Sequence, residues 1–491
     1  MFQKKVSLAL ALVAGLAGAG SLLAQPWEEV YGAKDQKDEG HRRVTPVTQC
    51  PDAGYIAIGT RDVGGVSKVY VVRTKDSGST IWEHFYDVGA DGRSDEGFAL
   101  VELNDGSGFA TTGTSQRGSN WYVHAMKLTC DGEVRFSYWY VINTPTLGPV
   151  RIVGHDIREA FSGDGVTTNR GDLLIAGYSE AAGRADAVVL RLDAGGGMVW
   201  NRRFDSGYNE RFFGLTETRP TYARSGDIAL VGVYDEGGPT QGLVARIDGL
   251  QGDFSGSPDQ CMAHYGDGGE ENFQSIVEVQ TWPDTGLLTM AGMSTSAGMN
   301  EDVYVVQTKP NPCGMLAQIT IGNEDFDRYR EFGTDIIEVL SPVDPGLGVP
   351  VGSFALTGLA ETRGSRADAF LLFIKPSSLY PLAARRYGDH RGWEDFGTSL
   401  AQNAWWGPQP QGFILAGTTF TDWDGSADPM DLYLIQPTDS GKTGCEKEWF
   451  PFGVDWGWQP KEINPHIAKP FRFGEVHTSF ERDDSMVRVC Q

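Results

Sequence analysis

The sequence predicts an all-β protein, a seven-bladed β-propeller of four-stranded antiparallel blades, and three observations carry that expectation. A short apolar segment ending at a glycine recurs seven times along 491 residues. Segments rich in β-branched and aromatic residues follow each of these after a polar turn, as strands do. No window repeats its apolar residues at the helical period.

The first line of strands comprises GYIAIGT from Gly54, GFATTGT from Gly108, DLLIAGYS from Asp172, DIALVGV from Asp227, LLTMAGMS from Leu287, SFALTGLA from Ser353 and GFILAGTT from Gly412. Their glycines, Gly59, Gly113, Gly177, Gly232, Gly292, Gly358 and Gly417, lie 54 to 66 residues apart. A second line follows across short turns: KVYVVRT, WYVHAMKLT, DAVVLRL, GLVARI, DVYVVQT, DAFLLFI and DLYLIQP. The third line includes IWEHFYDVG, MVWNRRFDSG and CMAHYGDG, and the fourth includes SDEGFALVEL, NERFFGLTET and ENFQSIVEV. Four strands per unit over seven units is what a propeller needs, because each blade buries its faces only against its neighbours. PWEEVYG at Pro26 adds an extra copy of the third line. Ring closure therefore stays open between Trp27–Tyr31 and the segment around Trp449, and an eighth, partial blade using FGEVHTSF is the alternative count.

Residues 1–24 read as a secretory signal peptide, two lysines followed by an apolar run with small residues, which implies a secreted, periplasmic or cell-surface protein. Residues 25–453 are expected to form the propeller and 454–491 a tail packed on it or pinned to it. No later segment is long and apolar enough to span a membrane. Net charge is −24, with Lys+Arg 41 against Asp+Glu 65, which repels phosphate backbones and excludes nucleic acid as the natural partner. The six cysteines, Cys50, Cys130, Cys261, Cys313, Cys445 and Cys490, are an even number in an exported chain and favour disulfides. Connectivity is not readable from spacing, although Cys490 could pin the tail through Cys445. None stands in a CxxC arrangement.

Between the second and third lines lie turns such as TKDSGSTIW and LDAGGGMVW. Aspartate followed by glycine suits a tight turn, and the tryptophan after it is large enough to fill the gap between splayed blades. The whole layout, a G[FY] strand ending in GT, a DVYVV-like strand, a DxxG turn and then W with YG, resembles secreted bacterial β-propeller repeat proteins, most of them uncharacterised. That resemblance implies the fold over nearly all of the mature chain and no particular activity. TKDSGSTIW is also similar to the Asp boxes of sialidases but carries one residue more before its Trp, and the turn from Asp439 to Trp449 only approaches the docking motif of quinoprotein dehydrogenases.

Candidate chemistry comes from carboxylates. Asp422, Asp424, Asp428 and Asp431 crowd ten residues around a glycine and could hold calcium, which wants several oxygen ligands from a flexible loop; their bland reading is loop capping. Otherwise no cofactor is signalled. Acidic residues also gather where the third strand passes into the fourth, including Asp95, Glu210, Glu271 and Glu394, where paired carboxylates could work on glycosides or simply form a solvated edge. The eight histidines show no HExxH or HxH spacing, and no GxSxG elbow or phosphate loop is present. The leading expectation is an exported non-catalytic propeller presenting a face to a protein or a carbohydrate. The alternative is a glycan hydrolase or lyase using Asp95, Glu210, Glu271 and Glu394 at the channel mouth.

Overall fold

The computed structural model describes residues 27–31, 38–89, 92–142, 149–163, 168–219, 226–254, 260–266, 268–281, 283–295, 300–312, 314–323, 330–343, 348–362, 365–387, 394–402, 412–420, 430–437, 458–461, 474–475 and 487–489. These residues form antiparallel sheets in a propeller-like arrangement, with no helix among them. Each unit is a four-stranded meander running from an inner to an outer strand. Unit 1 is Asp38–Val47, Gly54–Asp62, Ser67–Lys75 and Thr80–Asp87; unit 2 is Asp95–Glu102, Phe109–Arg117, Asn120–Leu128 and Val134–Tyr140. Unit 3 is Val150–Glu159, Leu173–Ala181, Arg184–Leu192 and Met198–Asp205; unit 4 is Asn209–Glu217, Ile228–Asp235, Gln241–Ile247 and Cys261–Tyr265. Unit 5 is Glu271–Glu278, Leu288–Ser294, Asp302–Thr308 and Met315–Asn323; unit 6 is Glu331–Glu338, Phe354–Thr362, Ser365–Ile374 and Pro381–Tyr387.

Unit 7 takes three strands from the C-terminal side, Asp395–Gln402, Phe413–Phe420 and Met430–Gln436, and its outer strand from the N-terminal side, Trp27–Tyr31. Val30 pairs with Tyr433, so the closure that the sequence left open is made by Trp27–Tyr31. Units 2 and 3 run together as one sheet through a single parallel pair, Arg151 with Trp121. Short tail strands add to outer edges: Trp458–Lys461 on unit 5, Gly474–Glu475 on unit 3 and Val487–Val489 on unit 1.

The repeated glycine now has a cause. In every unit the pairing between inner and second strand slips by one or more residues directly opposite that glycine, as between Gly97 and Ala99 or between Phe273 and Ser275. The bulge turns an inner-strand carbonyl into the space a side chain would need. A Cβ on Gly113, Gly177, Gly232, Gly292, Gly358 or Gly417 would collide with the backbone oxygen of Glu96, Val153, Arg211, Asn272, Phe332 or Phe396 respectively.

Apolar side chains collect between units rather than within them. Among the described residues seven clusters form, each filling one seam: Ile58 and Val71 meet Phe109 and Met126 between units 1 and 2, while Tyr31 and Leu432 meet Val44 and Tyr70 between units 7 and 1. The other five fill the remaining seams in order. Outer-strand aromatics then reach the next unit's turn. The hydroxyl of Tyr86 donates to Gly132 O at 2.8 Å and that of Tyr140 to Gly196 O at 2.7 Å, with Tyr265 to Pro312 and Tyr31 to Gly78 in the same role. Trp82 Nε1 donates to Cys130 O at 3.0 Å, so the indole of the repeat bridges a seam.

Candidate functional site

The inner strands place one residue per unit at equal height just after the bulge: Arg43, Ala99, Asp156, Gly214, Ser275, Asp335 and Ser399. Several of these side chains bond one another across the middle of the molecule. Arg43 donates through Nη2 to Asp156 Oδ1 at 2.9 Å and sits 3.8 Å from Asp335 Oδ2. Ser275 Oγ donates to Asp335 Oδ1 at 2.6 Å, and Asp335 Oδ2 accepts Leu400 N–H at 2.9 Å and Ser399 Oγ at 3.1 Å. Ser399 Oγ in turn accepts Val44 N–H at 3.1 Å. Asp156 Oδ2 accepts Leu215 N–H at 3.1 Å and faces Arg158 Nη2 at 3.6 Å. The Arg43, Asp156 and Asp335 side chains are 10% exposed or less. Two carboxylates and two guanidinium groups thus balance, and every carboxylate oxygen has a donor, which is the condition for keeping ions out of water.

The carboxylates singled out by the sequence fall elsewhere. Asp95, Glu210 and Glu271 stand at one repeat position, two residues before the bulge, each at the head of a different inner strand and each essentially buried. Asp95 Oδ2 accepts Val88 N–H at 3.0 Å, with Lys68 Nζ at 3.8 Å; Glu210 accepts Ser206 Oγ; Glu271 accepts Ser294 Oγ at 3.2 Å. Each therefore fastens its strand to its own surroundings. Glu394 is one residue out of register; in unit 7 the equivalent position belongs to Asp395, which is 1% exposed, and in unit 6 to Glu331, 2% exposed. Burial pushes Asp95 up to about 6, Glu210 to about 7 and Glu331 to about 9.

A second ring of carboxylates, whose role the sequence alone did not disclose, caps the other end of the inner strands. Glu102 accepts Thr48, Gln49 and Cys50 N–H from the preceding unit's loop at 2.7, 2.9 and 3.1 Å. Glu159 holds Asn104, Glu217 holds Phe161, Glu278 holds Arg219, Glu338 holds Gln280 and Thr281, and Gln402 holds Leu340 and Ser341. The signal was visible as the recurring acid that ends FALVE, IVE and IIE; only its partners, about 55 residues upstream, were not.

Third-strand cations complete the seams on that same end. Arg191, fully buried, pairs with Asp172 at 2.8 Å and donates to Gly249 O of unit 4 at 2.8 Å. Arg246 pairs with Asp227 at 3.0 Å and donates to Pro310 O at 2.8 Å, and Arg73 donates to Cys130 O at 2.7 Å and Asp52 O at 2.8 Å.

Disulfides share these seams. Cys50 and Cys130 are bonded, Cα atoms 5.6 Å apart, and join unit 1 to the turn of unit 2. Cys261 is also disulfide-bonded; Cys313, Cys445 and Cys490 lie outside the described residues. So do Asp422, Asp424 and Asp428, and of Asp431 only the backbone is described. Among the described residues no group of three or more His, Cys, Asp or Glu could hold a metal ion. The described histidines do not converge: His84 stacks on Trp82, His264 on Tyr234, His124 contacts Ser115, and His155 lies among Phe98, Tyr178 and Phe213.

No protein-family model matches the chain, and no curated protein matches it. Among solved structures, Sqt1 from Chaetomium thermophilum aligns over 83% of this chain and 99% of its own at 11% identity and a TM-score of 0.42. Sqt1 bound to the N-terminus of ribosomal protein L10 aligns over 77% of this chain and 92% of its own at 12% identity, with a TM-score of 0.38. A chimera of ACO and RPE65 aligns over 91% of this chain and 97% of its own at 9% identity, TM-score 0.39.

Proposed function

We propose that this chain is an exported seven-bladed propeller that serves as a non-catalytic binding scaffold. The observation that carries the reading is the bonded axis, where Arg43 bonds Asp156 and approaches Asp335 while Ser275, Ser399 and backbone N–H groups complete the carboxylates. A hydrolase needs two carboxylates held apart with room for a substrate between them. Asp95, Glu210 and Glu271 instead stand on three different inner strands, each bonded to its own neighbour. Recognition then belongs to a face, and the face built from the loops after the inner strands and the turns after the third strands is the more varied one. There the loop length changes from unit to unit more than the strand length does.

The test is a combined screen of the purified mature chain against glycan and protein arrays and against chromogenic glycosides and polysaccharides. The reading expects saturable binding with no release of sugar. Turnover that disappears in Glu210→Gln or Glu271→Gln would refute it.

A further inference from the structure

We infer that Lys68 and Asp87 condense within the folded chain into an amide cross-link between the third and outer strands of unit 1, with Asp95 as the proton acceptor. The inference stands apart from the scaffold reading and concerns a modification that the chain makes on itself. Its origin is a buried lysine. Lys68 is 6% exposed, whereas Lys75, Lys127, Lys309 and Lys375 are not buried. A lysine is seldom buried unless a carboxylate accompanies it, and here one ammonium lies beside two.

The register brings the three groups together. Val69 pairs with Tyr86 where the third strand starts and the outer strand ends, so Lys68 and Asp87 stand opposite each other one residue further on. Lys68 Nζ lies 2.8 Å from Asp87 Oδ2 and 3.8 Å from Asp95 Oδ2, and it donates to Arg93 O at 2.7 Å. Asp87 and Asp95 are both buried. Asp87 Oδ2 accepts Gly92 N–H at 3.0 Å, while Asp87 Oδ1, shut off from solvent, has no hydrogen-bond partner among the described residues. Asp95 accepts Val88 N–H and the Ser115 hydroxyl, and its Oδ1 lies 3.8 Å from Arg117 Nη1. A buried carboxylate with one oxygen unpartnered is costly as an ion, and an amide removes both charges of the pair.

The chemistry balances without a co-reactant. An amine attacks only after losing a proton. Asp95 stands beside Nζ with a carboxyl that burial lifts to about 6 against the pull of Ser115, Arg117 and Lys68, which makes it a stronger base than an ordinary aspartate. Nζ then bonds to Cγ of Asp87, and negative charge gathers on Oδ2, where Gly92 N–H already donates. The Cγ–Oδ1 bond breaks. Two of the three ammonium protons leave with that oxygen as water, one of them by way of Asp95, and the third stays on the amide nitrogen. Asp95 ends in the state in which it began. Holding amine and carboxyl in contact replaces an encounter in solution, and the exclusion of water protects the product from hydrolysis. The link fastens two strands of the unit that Cys50–Cys130 ties to unit 2, and unlike the disulfide it withstands reduction.

The experiment is tryptic mapping by mass spectrometry of the full chain, purified folded and then denatured and reduced. An amide on Nζ blocks cleavage after Lys68, so the expected product is residues 62–73 joined to residues 76–93, lighter than the two together by one water molecule. Lys68→Arg keeps a cation opposite Asp87 without an amine that can condense, and it should release residues 62–68 and 76–93 separately. Asp95→Asn should carry less of the joined peptide by about tenfold or more, and Asp95→Glu, which restores the base, should regain it. Wild type that yields residues 62–68 and 76–93 as separate peptides of unaltered mass overturns the inference, and this result needs no variant to fold. Undiminished linkage in Asp95→Asn overturns the part given to Asp95.

Discussion

Glu331 is held at 2% exposure with its backbone N–H on Glu301 O at 2.7 Å, and burial first, then Asp302 and Glu361, raises its carboxyl from 4.5 to about 9. A carboxyl whose folded value lies above its unfolded one favours the fold when protonated. Its contribution is complete below about pH 4.5 and is lost as pH climbs toward 9. Glu210 and Asp95 act in the same direction over narrower windows. Melting curves should therefore show wild type losing stability between pH 5 and pH 9, while Glu331→Gln loses less. The two should nearly coincide at pH 5 and differ by more than about 1 kcal/mol at pH 9, since a tenfold difference in proton affinity between folded and unfolded chains is worth about 1.4 kcal/mol. Parallel curves would show that Glu331 ionises as freely in the fold as out of it. Glycine offers a second contrast at this scale. Gly292→Ala must push against Asn272 O and should cost about 2–4 kcal/mol in denaturant melts. Gly183→Ala, at φ +80° with open space around it, should cost only the left-handed strain, about 1 kcal/mol.

Among elements, the inner strand ties one unit to the next through the carboxylate at its end, which reaches back to the previous unit's loop. Glu338 accepts Gln280 N–H, Thr281 N–H and Thr281 Oγ1, so Glu338→Ala should destabilise by about 1–3 kcal/mol. Glu338→Gln should cost less than about 1 kcal/mol, because Gln402 already performs that task in unit 7 with one amide oxygen. Equal losses in chemical denaturation would contradict the clamp. The disulfides work on the same seams. Reducing Cys50–Cys130, which closes a separation of 80 residues, should remove about 4 kcal/mol on a loop-entropy basis. Peptide mapping should find Cys261 joined to Cys313: Cys261 occupies the strand position of Trp82, and its Sγ lies 3.0 Å from Asn311 Oδ1 in the next unit's turn. A Cys261–Cys445 or Cys261–Cys490 peptide would contradict this. The strands themselves were legible because apolar alternation, Asp-Gly turns and the recurrent glycine are local signals. Arg43, Asp156 and Asp335 were not, because their meaning depends on partners in other units, 113 residues apart for Arg43 and Asp156, that only closure of the sheets brings together. Asp95, Glu210 and Glu271 stood out by type, yet their equal position in the repeat, two residues before the bulge, shows only once the register is known.

At the scale of the molecule, a chain of like units has two free edges unless its ends meet, and an open edge exposes unpaired backbone and one seam's apolar side chains. Here the ends meet through Trp27–Tyr31, which pairs with Met430–Gln436 and carries Tyr31 into the seam with unit 1. The axial bonds draw on inner strands from both halves, Arg43 and Val44 from unit 1 with Ser399 from unit 7, so they too require closure. Everything at the smaller scales follows from this closed ring, whose interior is committed to holding itself together. The most direct measurement is thermal unfolding of the chain shortened to begin after Tyr31, with and without a synthetic Trp27–Tyr31 peptide. The ring predicts a broadened, lower transition for the shortened chain and a rise toward the parent value as peptide is added. An unchanged, equally cooperative transition without the strand would contradict it.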